Sequence, residues 1–219
     1  MPQKCLTSIN NKMIVQYSIE YSLSLGRNVK TVVSTDIKEL IKYCKDMNID
    51  FINRNPKFCL DNSRIDDALA EAIELRGKDC QLCSLVYGNI PTRYQFLFHE
   101  ALQFLIENED YDAVISMQNV EKFHPDWMFD YNDKVLPREK SCHYRRQMLP
   151  KKMIPDGHTF IFRTKKFADR YAGLVSYDNT YKYSIFGDKI KPQINDAVII
   201  DIDTRKDLKI AQSILTNNK

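Results

Sequence analysis

The feature that most constrains this chain is a change of hydrophobic period that recurs along its first two thirds. Segments with helical spacing alternate with short β-branched runs, in units of about 30 residues, the length of a strand, a helix and the turns that join them. The spacing predicts a helix over 13–25, with Ile14, Tyr17, Ile19 and Leu23 on one face and Gly26 closing it. A strand follows over 29–33, then a helix over 37–47 capped by Asp36, and a strand over 50–52. Ser63 with Asp66 reads as a variant capping box that opens a helix to about 75. Further on come a strand over 82–86, a helix over 93–108 and a strand over 113–117. Such alternation predicts an α/β fold in three layers, a mostly parallel sheet with helices on both faces. From about 124 to 187 the rhythm breaks into a stretch rich in Tyr, Lys and Pro, expected to be a β-rich excursion with one clear strand over 159–163. It resumes with strand-like 196–200, the triplet 201–203 and a last helix over 204–215.

Composition narrows the function. The 219 residues are 43% hydrophobic and 28% charged, which suits a single self-sufficient core and excludes a disordered chain. A net charge of +3 is too small for a dedicated nucleic-acid binder or a polybasic membrane surface, so neither partner is expected. With no long apolar run and no leader-like start, a cytoplasmic protein is expected. Six scattered cysteines argue for reduced thiols; Cys80 and Cys83 have the spacing of a zinc or redox pair but no second pair to complete one. The six glycines are too far apart for a dinucleotide fingerprint or a Walker loop.

In an open α/β sheet, ligands collect beyond the carboxyl ends of strands. The residues there are Ser34-Thr35-Asp36, Asn53-Arg54, Tyr87-Gly88-Asn89 and Asp201-Ile202-Asp203, an inventory that suits a phosphorylated ligand with a divalent cation. Asp201 and Asp203, at i and i+2 of an extended segment, present their oxygens to the same side and fit magnesium. The spacing fits equally a helix cap at Asp203 or Thr204 with Asp201 simply solvated. Arg145-Arg146-Gln147 with Lys151 and Lys152 forms a basic cluster suited to a carboxylate or phosphate. His124 lies in an irregular Phe-His-Pro segment, and none of His99, His143 and His158 has a carboxylate or cysteine at ligand spacing, so no histidine is expected to be catalytic.

In this order, the motifs resemble the CMP-sialic acid synthetase (acylneuraminate cytidylyltransferase) family. The run K-M-I-V-Q-Y-S-I-E over 12–20 is similar to its G-K-P-L-I-x-Y-x-I-E helix, and V-V-S-T-D over 32–36 to its V-S-T-D turn. Arg54, Asp61 and Ser63 follow its R-P-x-x-L-x-x-D-x-S pattern; L-V-Y-G-N-I-P-T-R over 85–93 stands where the family has L-Q-P-T-S-P-L-R. Segments 112–116, 124–127, 145–147 with 156–157, and D-I-D-T-R-K-D over 201–207 complete the series. The resemblance implies one cytidylyltransferase-like domain over 1–219 and attack of a sugar's anomeric hydroxyl on the α-phosphate of CTP. It implies Mg²⁺ held by Asp201 and Asp203, with Arg54 and Ser63 beside the cytidine and Arg146 and Gln147 in the pocket of the acidic sugar. Asn89, with Tyr87, replaces residues at the sugar end of that pocket. Lys4 matches the last lysine of the family's phosphate loop, placed to meet a phosphate, and Cys5 replaces the asparagine that follows it. The family's opening strand and most of that loop have no counterpart here, so Met1 is expected to be internal to a longer product. Residues 124–187 match the arm through which two subunits embrace, so a homodimer is implied, making CMP-sugars for cell-surface glycans. Three other readings stay open: activation of a 3-deoxy-octulosonate, a noncatalytic dimeric scaffold that binds nucleotide, and a metal or thiol protein built on Cys80 and Cys83.

Overall fold

The structure is a computed structural model that describes residues 4–60, 62–131, 135–137, 145–176 and 183–217. Asp61, Cys142 and His143, named above, lie outside the described residues. A short hairpin, β1 (Ser8–Ile9) and β2 (Lys12–Met13), leads into α1 (Ile14–Ser24). Then follow β3 (Val33–Thr35), α2 (Lys38–Asp46), β4 (Phe51–Asn53), α3 (Ile65–Ala72), β5 (Leu82–Leu85), α4 (Gln95–Glu107) and β6 (Ala113–Asn119). The hairpin β7 (Phe129–Tyr131) and β8 (Val135–Pro137) precedes β9 (Met153–Arg163), α5 (Thr164–Tyr171), β10 (Ile190–Ile194) and α6 (Arg205–Asn217).

The main sheet has the order β10-β6-β9-β5. It is mixed rather than mostly parallel, because β10 runs parallel to β6 while β9 lies antiparallel to both β6 and β5. A separate parallel pair, β3 and β4, carries the Ser34–Arg54 region. Strand alternation divides the core between two faces. Ala113, Ile115, Phe160 and Phe162 pack with Ile73, Phe167 and Phe186 on one side, whereas Val114 and Ile161 pack with Tyr21, Leu25, Phe98 and Leu105 from α1 and α4 on the other. Helices therefore cover both faces.

Several boundaries move for physical reasons. The buried stripe of α1 runs through Ile14, Ser18, Tyr21 and Leu25, and Leu23 faces solvent. Ile14 and Ile19 are buried and Tyr17 packs against the core as the spacing predicts, and Ser18 and Ser22 share the buried face because their hydroxyls find acceptors. Asp36 does not cap α2; the Ile37 N–H donates to Thr35 Oγ1 at 3.1 Å. Nor does Ser63 cap α3: it accepts from Leu60 N–H (3.0 Å) and donates to Lys57 O (3.1 Å), closing the preceding turn. The strand expected over 196–200 is absent as a ladder. The edge strand is instead Ile190–Ile194, whose Pro192 reads as a breaker but is tolerated where one side of the strand is unpaired. Within the stretch 124–187 expected to leave the sheet, β9 is an inner strand and α5 packs beside it; the hairpin β7–β8 is what departs.

Candidate functional site

Three far-separated segments converge where residues 87–93 pass the segment 200–203. The Ile202 N–H donates to Asn89 O (3.0 Å), and the Ile200 N–H to Thr92 Oγ1 (2.8 Å). The Asn89 side-chain amide donates to the Asp201 carboxylate, and the Lys4 ammonium pairs with Asp203. Ile202 is fully buried, packed with Ile9, Ile14 and Ala211, so its neighbours Asp201 and Asp203 are both turned outward. Their hydrogen-bond geometry thus comes from a loop and a helix, not from a ladder. The capping role lies with Thr204 and Asp207: the Asp207 carboxylate accepts from the Thr204 N–H (2.8 Å) and hydroxyl (2.8 Å), and the Asp203 N–H donates to it at 3.2 Å.

Burial, and then the neighbouring Asp203 charge, push the Asp201 carboxyl above its usual range, with Lys4 and Arg93 pulling the other way. Two outward carboxylates that repel one another, steadied by a lysine, are a donor set a small divalent cation fits; water and substrate oxygens would complete its shell. Among the described residues no three His, Cys, Asp or Glu side chains gather as a self-sufficient metal cage. The Cys5 thiol is raised by burial and feels Lys4, Arg54 and Asp201 together, which places all four in one neighbourhood. Arg54 is held by Ser34, its Nε donating to the hydroxyl (3.1 Å) and one Nη to the carbonyl (2.7 Å).

Lys4, Arg54, Asn89, Asp201 and Asp203 are thus brought together. Ser63 is engaged in its own turn, and Arg146 and Gln147 sit exposed in the turn Arg146–Met148, where the Arg146 guanidinium stands 3.9 Å from Glu121. Sequence reasoning gave no role to Ser18, Thr92 or Arg93. Ser18 Oγ donates to Tyr87 O (2.9 Å) and Ile90 O (3.0 Å). Arg93 donates to Ile90 O (2.9 Å), His158 O (2.6 Å) and Tyr87 O (2.6 Å), and its burial lowers its pKa to about 10. A polar residue inside an apolar helical stripe, as Ser18 is, is the signal that pointed here, because a buried hydroxyl requires a partner. His158, 1% exposed, accepts from the Tyr94 N–H through Nε2 (2.8 Å), and burial lowers its pKa to about 3, so it stays neutral. The thiols show no metal arrangement: Cys83 Sγ accepts from the Thr164 hydroxyl at 3.2 Å, and the described cysteines are free. No described helix is long and apolar enough to cross a membrane.

Over residues 1–172 the sequence matches the model of a protein family described as cytidylyltransferase. A CMP:2-keto-3-deoxy-manno-octonic acid synthetase complexed with CTP superposes with a TM-score of 0.75 at 16% identity, over 100% of this chain and 94% of that one. A 4-diphosphocytidyl-2C-methyl-D-erythritol synthase from Anaerococcus prevotii follows with 0.67 at 15%, over 95% and 88%. HddC from Yersinia pseudotuberculosis gives 0.58 at 16%, over 97% and 89%. At these identities the likeness shows the α/β nucleotidyltransferase fold. No curated protein matches the sequence.

Proposed function

Because the chain belongs to the cytidylyltransferase family, we propose that it transfers CMP from CTP to an acidic nonulosonate-type sugar, acylneuraminate-like, with release of pyrophosphate. The observation that carries this reading is the meeting of Lys4, Asn89, Asp201 and Asp203, drawn from three distant parts of the chain to one exposed rim. A structural neighbour whose name specifies an acidic keto sugar and CTP supports the substrate class. The sugar's anomeric oxygen forms a bond to the α-phosphorus as the bond from that phosphorus to the bridging oxygen of the pyrophosphate breaks; the hydroxyl proton leaves to solvent or base. Asp201 and Asp203 would hold Mg²⁺, which would supply charge neutralisation to the phosphates. Lys4 exchanges its pairing with Asp203 for a phosphate oxygen once nucleotide enters, and Arg54, steadied by Ser34, faces the nucleotide. Ser63 shapes the turn beside the cytidine. Arg146 and Gln147 reach an acidic sugar from the arm, where a guanidinium grips a carboxylate in bidentate fashion.

We extend the reading to a homodimer. Phe123, Phe129, Met148 and Ile154, each more than half exposed, lie in or flank the stretch that leaves the sheet, an apolar surface of the kind a second copy covers. A cytoplasmic enzyme supplying activated sugars for cell-surface glycans fits this chemistry. The test is pyrophosphate release from CTP and Mg²⁺ with a panel of octulosonic and nonulosonic acids. Release is expected with CTP and at least one acid, and much less with ATP or GTP. Tight CTP binding with no release across the panel would replace the enzyme with a nucleotide-binding scaffold.

A further inference from the structure

We propose that Asn89 is a positioning residue for the metal-binding carboxylate, fixing Asp201 from outside the coordination shell rather than touching the sugar. This rests on the magnesium reading above. Three observations carry it. The Asn89 amide donates directly to Asp201 Oδ1, so one carboxylate oxygen is held by the loop. The same residue accepts from Ile202 N–H through its backbone carbonyl at 3.0 Å, which grips the acidic segment at two points one residue apart. The loop that carries Asn89 is itself immobilised, since Tyr87 O and Ile90 O on either side of it each accept from both Ser18 and Arg93.

The physical need is clear from the backbone. Residues 200–203 belong to no ladder, so nothing in the sheet sets where Asp201 points. A neutral donor fixes the carboxylate without adding charge, and it leaves the negative charge available to a cation. Groups that orient a metal-bound ligand in this way are worth about 10–100-fold in metal affinity.

The experiment titrates Mn²⁺ into the full chain, with CTP absent and then saturating, followed by electron paramagnetic resonance and water-proton relaxation. Asn89→Ala, Asp201→Asn and the double variant are compared with the unaltered protein, with thermal melts as the control for folding. Asn89→Ala is expected to weaken Mn²⁺ binding by about tenfold or more. Its turnover, where measured, is restored by excess Mn²⁺, and the sugar KM changes little. In the Asp201→Asn background, removing Asn89 is expected to cost nothing further, because the two act on one ligand. Asn89→Leu repeats the measurement with the volume kept. Unchanged Mn²⁺ affinity in both Asn89 variants, alongside a loss in Asp201→Asn, would overturn the positioning role while leaving the metal site standing. A raised sugar KM with unchanged Mn²⁺ affinity would make Asn89 a substrate contact instead. Unchanged Mn²⁺ affinity in Asp201→Asn itself would remove the metal reading on which the proposal stands.

Discussion

Asp201 combines burial, a like-charged neighbour and a position at the mouth of a rim, and its cost to the fold has a definite sign. A carboxyl whose folded pKa lies above its unfolded one destabilises the protein when ionised, fully so above the folded pKa and not at all below the unfolded value. Asp201→Asn is therefore expected to raise the melting temperature of the ligand-free protein at pH 7 by about 1–2 °C, a small figure because the carboxylate is only partly withdrawn from water, and the gain should vanish below pH 4. Scanning calorimetry across pH checks it. The opposite sign holds at His158. Its folded pKa of about 3 lies below the ordinary 6.5, so its neutral form contributes stability that is present above pH 6.5 and is lost as the pH falls toward 3. His158→Gln keeps an acceptor for the Tyr94 N–H without the titration, and is expected to flatten the fall in melting temperature between pH 7 and 4. Neither residue revealed this in the sequence: Asp201 was legible as one of an outward pair from its spacing with Asp203, but His158 had no partner at any ligand spacing because the Tyr94 N–H and the Arg93 guanidinium reach it from far along the chain.

At the scale of elements, the segment 196–203 shows how an extended run can be anchored without joining a sheet, with Ile202 alone fully buried. Its backbone groups are satisfied by Thr92, Asn89 and the Gln118 side chain instead of a neighbouring strand. Thr92→Val preserves volume but leaves the part-buried Ile200 N–H without its acceptor, a loss of about 1 kcal/mol. The expected outcome is faster amide exchange over 200–203 and weaker Mn²⁺ binding, with the sheet amides of Ala113–Asn119 unaffected; mass-resolved hydrogen exchange reads both. The helices were legible nearly to their ends, because 3.6-residue periodicity is a property of local sequence. Caps were not. Thr204, one of the candidates named for the last helix, does engage its first turn, but Asp36 yields to Thr35 ahead of α2 and Ser63 closes the turn before α3, by turn geometry that the residue types alone do not fix.

For the whole molecule, the proposed homodimer is tested at the arm that leaves the sheet. Phe129→Glu with Ile154→Glu places charge on two exposed apolar side chains, one in the arm and one at the start of β9, and should convert a dimer to a monomer in analytical ultracentrifugation, with the melting temperature of the core changed little. The sugar KM should rise if Arg146 and Gln147 depend on the partner to reach the site. A monomeric unaltered protein would end that reading. The mixed character of the main sheet also belongs to this scale: β9 lies between β5 and β6 and reverses the direction that uninterrupted alternation would have given.

The sequence by itself determined the class of fold, the position of each long helix, and the pair of outward aspartates that flank a buried isoleucine, since periodicity and i, i+2 geometry act over a few residues. Only the tertiary structure decided that Lys4 and Asn89 meet those aspartates, that Arg93 and Ser18 tie the loop that carries Asn89, and that Ser63 closes its own turn while Arg146 sits beside Glu121. The meetings of Lys4, Asn89 and Ser18 with their partners depend on hydrogen bonds between residues about 70 to 200 positions apart, where partners are selected by which groups burial leaves unsatisfied.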